Sequence, residues 1–128
     1  MVKHWLLIFE YENRVIQFQG MPATQGHFFK PIIEDIEWNQ RANSTYLTTI
    51  RTSPKKVMEH AMANELTLTK YDTFKNNCQD WILELLEMIV PDLPSLNKYK
   101  EATVSSKYKQ FLKNLHQERD DSKIKSEL

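Results

Sequence analysis

The chain's one cysteine, Cys78, follows Asn77 at the head of a clearly amphipathic stretch. If Asn77 caps a helix, Cys78 is its first helical residue, where unpaired backbone N–H groups and the helix dipole favour an anion. The thiolate is the nucleophilic form; a free thiol ionises near about pH 8.5, and a helix N-terminus with a nearby imidazole lowers this to roughly 3.5–7.5. Such a thiol would carry out acyl transfer through a thioester. Cys78 also lies on an apolar stripe, so the plainer alternative is a small packing residue.

A thiol nucleophile needs a base, and the sequence offers His4, His27, His60 and His116. His60 and His116 read as solvated helix residues, and nothing orients His27 in its glycine-containing stretch. His4 differs because a hairpin supplies it with a partner. Pairing about a turn at Glu12-Asn13 places Gln17 and Gln19 on the same strand face as His4. A polar side chain there can hold one imidazole nitrogen and leave the other for the thiol. The simple register brings Gln19 nearer; a bulge or longer loop would bring Gln17.

The elements that must position these groups are legible in outline. Residues 4–11 (HWLLIFEY) and 15–19 (VIQFQ) read as paired strands, and the β-branched run 45–52 (TYLTTIRT) as a third. Residues 20–44 hold both glycines and two prolines and read as irregular, with at most a short strand around 31–38. Ser53-Pro54 announces a helix running to about Leu66. Cys78, Trp81, Ile82, Leu85 and Ile89 form the apolar face of a helix over 78–90, which Pro91 stops. The expected fold is α+β, a small antiparallel sheet packed against helices. Residues 1–92 form the domain, 93–118 a linker and an amphipathic helix near 104–118 (Tyr108, Phe111, Leu112, Leu115), and 119–128 a charged disordered tail.

Composition narrows the function classes. Seventeen basic residues balance seventeen acidic ones over 128 residues, and the pI is near 6.9. This argues against a nucleic-acid binder that relies on an overall basic field. A single cysteine excludes an internal disulfide and a cysteine-based zinc site, and no metal or cofactor is expected. The longest apolar run, Trp5 to Phe9, is far short of a membrane span, and no secretory leader is recognisable, so the expected address is the cytoplasm. The letters of Asn43-Ser44-Thr45 and of the final Lys-Ser-Glu-Leu match a glycosylation sequon and, faintly, a retention signal. Neither acts without entry into the secretory pathway.

HWLLIFEYENRVIQF, followed later by TSPKKVMEHAMANELTLTKYDTFKNNCQDWILELLEMI, resembles the permuted papain-like thiol hydrolases. The pattern is similar to that of the lecithin retinol acyltransferase (LRAT)-like proteins, relatives of the NlpC-type and PPPDE peptidases. A His-Trp pair (His4-Trp5) opens a strand, a polar residue (Gln17) returns on the hairpin, and an Asn-Cys pair (Asn77-Cys78) opens a helix. The resemblance covers residues 3–90 with a divergent middle. It implies a cysteine-dependent hydrolase or acyltransferase acting on an amide, ester or isopeptide of an acyl, peptide or lipid-derived substrate. In that reading Cys78 attacks, His4 takes and returns the proton, and Gln17 fixes the imidazole tautomer. Two departures stand out. The LRAT-like pattern continues Asn-Cys-Glu-His-Phe where this chain has Asn-Cys-Gln-Asp-Trp, and its third polar residue is often histidine. They motivate the alternative of a catalytically inactive interaction module on the same fold, with a protein partner reached through the 104–118 helix.

Overall fold

A computed structural model of the chain describes residues 3–23, 28–41 and 44–127, with backbone alone at Arg41 and from His116 onward. The fold is mixed α+β. Strands β1 (Leu7–Tyr11), β2 (Arg14–Pro22) and β3 (Phe29–Ile36) form an antiparallel sheet in the order β1-β2-β3. Four α-helices follow: α1 (Pro54–Met62), α2 (Cys78–Ile89), α3 (Leu96–Ala102) and α4 (Val104–Glu127), with 3-10 turns at Trp38–Arg41 and Glu65–Leu68.

The hairpin forms where its polar Glu12-Asn13 turn places it, with Tyr11 opposite Arg14 and Leu7 opposite Phe18. Strand alternation then sorts β2 into two faces. Ile16 and Phe18 are fully buried and Gly20 is buried beside them, whereas Gln17 and Gln19 lie on the opposite face, half-buried. Helix α2 covers the first face. The core is built from Leu7, Ile16, Phe18 and Phe29 of the sheet, Val57 and Ala61 of α1, and Trp81, Ile82, Leu85 and Leu86 of α2.

Closest approach falls at Gly20. A Cβ there would lie 2.3 Å from Cγ of Trp81 and 2.7 Å from its Cβ, so the indole rests on bare backbone. Trp81 is fully buried, its Nε1–H donates to Thr67 Oγ1 at 3.2 Å, and its carbonyl accepts from Asn64 Nδ2 at 3.0 Å. Asn64 ends α1 earlier than the apolar pattern suggested. Its Oδ1 accepts from Leu66 N–H, which caps the 3-10 turn in place of a further helical turn.

Three further expectations are corrected. Residues 45–52 form no strand; the third strand lies in the stretch read as irregular, where only a short strand around 31–38 was allowed, and it is a full partner of β2. β-Propensity measures fit to a half-buried pleat, and Ile32, Ile33 and Ile36 find that pleat along β2, with Pro31 tolerated on an outer strand of the sheet. The supposed linker after Pro91 contains α3, because Leu93 and Leu96 are core residues. α4 continues through residues 119–127, where a disordered tail was expected; no glycine or proline follows Pro94 to interrupt it.

Gly20→Ala has no space to relax into, because the neighbouring atoms belong to the root of a buried ring. Urea unfolding should show a loss of about 3 kcal/mol or more. Tyr11 supplies the opposite case: its buried hydroxyl has no hydrogen-bond partner among the described residues. Tyr11→Phe should be neutral or stabilising by up to about 1 kcal/mol in the same measurement.

Candidate functional site

The head of α2 is built as the sequence suggests. Asn77 is fully buried and caps the helix, its Oδ1 accepting from Gln79 N–H at 3.0 Å. Asp80 Oδ2 accepts in turn from Asn77 N–H at 2.8 Å, completing a capping box of about 1 kcal/mol. The Asn77 amide donates to the Thr73 carbonyl at 2.8 Å. Cys78 is therefore the first helical residue, as expected.

Its surroundings are less open than the sequence implies. Cys78 is only 3 % exposed. The Tyr71 phenol lies close enough to Cys78 for the thiol to act on its ionisation. Burial, then the neighbouring thiol, push the Tyr71 hydroxyl above the ordinary tyrosine range, so it stays protonated. One amide at the helix head that would otherwise be free for an oxyanion is occupied, Gln79 N–H by Asn77. An Asx turn brings Tyr71 there. Asp72 Oδ1 accepts from Phe74 and Lys75 N–H at 3.0 Å each, and Asp72 pairs with Asn76, folding the loop back onto the helix. Those bonds hold the Asp72 carboxyl below the usual carboxylate range.

His4 precedes β1 rather than opening it and is exposed. Its Nε2 lies 2.6 Å from Gln19 Oε1. Gln19, not Gln17, is thus the residue beside the imidazole; Gln17 stands between Ile8 of β1 and Glu34 of β3. The two neighbours of His4 are turned the other way. Trp5 packs edge-on against Tyr99 of α3 at 6.1 Å, and the Lys3 carbonyl accepts from Gln79 Nε2 at 2.8 Å. His4 and Gln19 thus meet on the sheet face opposite the one that Gly20 presents to Trp81. The bond from Gln79 to the Lys3 carbonyl brings the segment carrying His4 to the head of α2, while the imidazole itself is hydrogen-bonded to Gln19. Of the remaining histidines, His60 is half-buried on α1, His27 lies outside the described residues, and His116 is described by its backbone alone on α4.

Gln79 and Asp80, the departures from the LRAT-like pattern, have their own structural use. Gln79 Oε1 accepts from Val104 N–H at 2.8 Å, and Asp80 Oδ1 accepts from the Ser105 hydroxyl. Together with the bond to Lys3 they fasten the start of α4 and the N-terminal segment to one helix head. Sequence reasoning missed Tyr71 and this clasp. The Asp72-Thr-Phe-Lys stretch carried the signal for the first, as an Asx turn ahead of the cysteine; the clasp is wholly non-local and carried none.

Cys78 lines neither of two surface clefts, one of about 770 Å³ along Arg14, Met58 and Met62 and one of about 390 Å³ along Asp80, Glu84 and Lys100. Among the described residues no His, Cys, Asp and Glu cluster could hold a metal ion, and no helix is long and apolar enough to cross a membrane. The chain matches no protein-family model, no curated protein and no solved structure.

The raised Tyr71 and Tyr11 hydroxyls give a pH test. A group whose folded-state pKa is raised contributes stability below its unfolded pKa and loses it as pH rises through the folded one. Stability should therefore fall above the ordinary tyrosine value of 10.0. Ultraviolet phenolate titration should show two late-ionising tyrosines, with Tyr71→Phe and Tyr11→Phe each removing one.

Proposed function

We propose that this chain is a non-catalytic binding module, a relative of the permuted papain-like thiol hydrolases in which the cysteine has become a packing residue. The likeness rests on the order of parts: a His-Trp pair ahead of a hairpin, a helix against the middle strand, and an Asn-capped helix beginning with cysteine. The observation that carries the inactive reading is the state of the would-be nucleophile. Cys78 is buried with the Tyr71 phenol beside it, Asn77 takes the Gln79 amide, and the His4 imidazole is hydrogen-bonded to Gln19. Among the described residues no imidazole is hydrogen-bonded to this buried thiol, and acyl transfer needs such a base together with free amides for the developing charge.

A second reading, a cysteine hydrolase or acyltransferase, is favoured by one observation: Gln79, next to Cys78, holds the carbonyl of Lys3, next to His4. Turning that segment about its anchor and lifting Tyr71 away would let the imidazole approach the thiol. Cys78 would then attack an acyl carbon, His4 would take the thiol proton and return it to the leaving group, and water, an amine or an alcohol would resolve the thioester.

Iodoacetamide separates the two. The binding-module reading expects Cys78 in the folded chain to label more slowly than a small free thiol between pH 6 and 8, and at the free-thiol rate once unfolded. Labelling faster than the free thiol at pH 6, lost on His4→Ala, would overturn it in favour of the enzyme.

A further inference from the structure

The binding surface of this module can be assigned from charge and exposure. Along the first half of α4, Tyr108, Phe111, Leu112 and Leu115 recur at helical spacing. Tyr108 is half-buried and stacks on Phe74 of the preceding loop, ring centroids 5.7 Å apart. Beyond that stack the stripe has no cover: Phe111 is 59 % exposed and Phe74 56 %, with Leu115 also exposed. The result is an exposed aromatic ridge shared by helix and body.

Along the helix its charge is one-sided, with the Asp72 carboxylate beside Phe74 as the one acidic neighbour on the loop. Residues 103–115 contain Lys107, Lys109 and Lys113 and no acidic residue, in a chain whose overall charge is zero. All three lysines are exposed, as is Lys75 beside Phe74. By helical spacing Lys107 and Lys109 fall on the two flanks of the apolar stripe. Lysines so placed reach outward past inserted rings to a layer of negative charge.

From these features we infer that the ridge of Phe74, Phe111 and Leu115 with Lys107, Lys109 and Lys113 docks on a bilayer surface carrying anionic headgroups. The rings enter the boundary between headgroups and acyl chains, and the ammonium groups lie in the phosphate layer. Exposed rings flanked by cations on both sides suit a layer of anionic headgroups, where the rings insert and the ammonium groups find phosphate. This ligand deepens the binding-module reading and rests on it for its role, while its residues are separate from Cys78.

The test is co-sedimentation of the full chain with phosphatidylcholine vesicles, with and without phosphatidylserine. Binding should require phosphatidylserine and weaken steeply with added salt. Phe111→Ser and the pair Lys109→Glu with Lys113→Glu should each lower the partition coefficient by roughly tenfold. These positions are exposed, so an unchanged thermal midpoint should accompany the loss. Equal binding to neutral vesicles, binding indifferent to Phe111→Ser, or no binding to either vesicle overturns the assignment and leaves the ridge to a protein. Failure here with slow Cys78 labelling leaves the inert-cysteine reading intact; vesicle binding with fast labelling removes that reading and keeps the surface.

Discussion

The seating of the Trp81 indole on Gly20 is the contact from which the other placements follow. Any side chain at position 20 would hold α2 off the sheet, and any smaller residue at position 81 would leave a void between them. With the indole fixed by Thr67 and the Trp81 carbonyl by Asn64, the helix has one available rotation and one height over β2. That rotation sends Ile82, Leu85 and Leu86 into the core and places Cys78 at the end of the sheet where Phe29 packs on Tyr71. Cys78 therefore owes its position to a tryptophan one turn further along.

The same helix head shows how a catalytic-looking pattern can serve packing. Asn77, Gln79 and Asp80 are each used more than once, for the cap, for the loop before it and for the segments on either side. Buried polar groups carry a large penalty if left unpaired, so these side chains constrain their surroundings strongly. The Tyr71 phenol lies beside the thiol at the edge of this network.

Much of this was legible locally. The Glu12-Asn13 turn, the Ser53-Pro54 helix start and the Asn77 cap are short-range signals, and each appears where those residues place it. The third strand was legible only as a short strand allowed around 31–38, because Pro31 and the nearby glycines mask a run whose pairing partner, β2, lies outside any local window. Residues 45–52 erred the other way: β-branched residues there have the propensity but no adjacent strand. At the site, alternation correctly grouped His4 with both glutamines, and the hairpin register alone favoured Gln19. That α2 would take the other face depended on Gly20, whose significance shows only once Trp81 lies against it.

The Gln79 amide has a direction. Its nitrogen faces the carbonyl of Lys3 and its oxygen faces the N–H of Val104, both at 2.8 Å. A glutamate of the same shape would set one oxygen against another at the Lys3 end. Exchanging a single nitrogen for oxygen would thus unfasten the strand-leading segment while leaving α4 attached. A chain with Asn-Cys-Glu at this point must bring its first strand in by another route. In this molecule, one terminal atom adds a polar fastening to the packing of Trp5 on Tyr99 in holding the segment that carries His4.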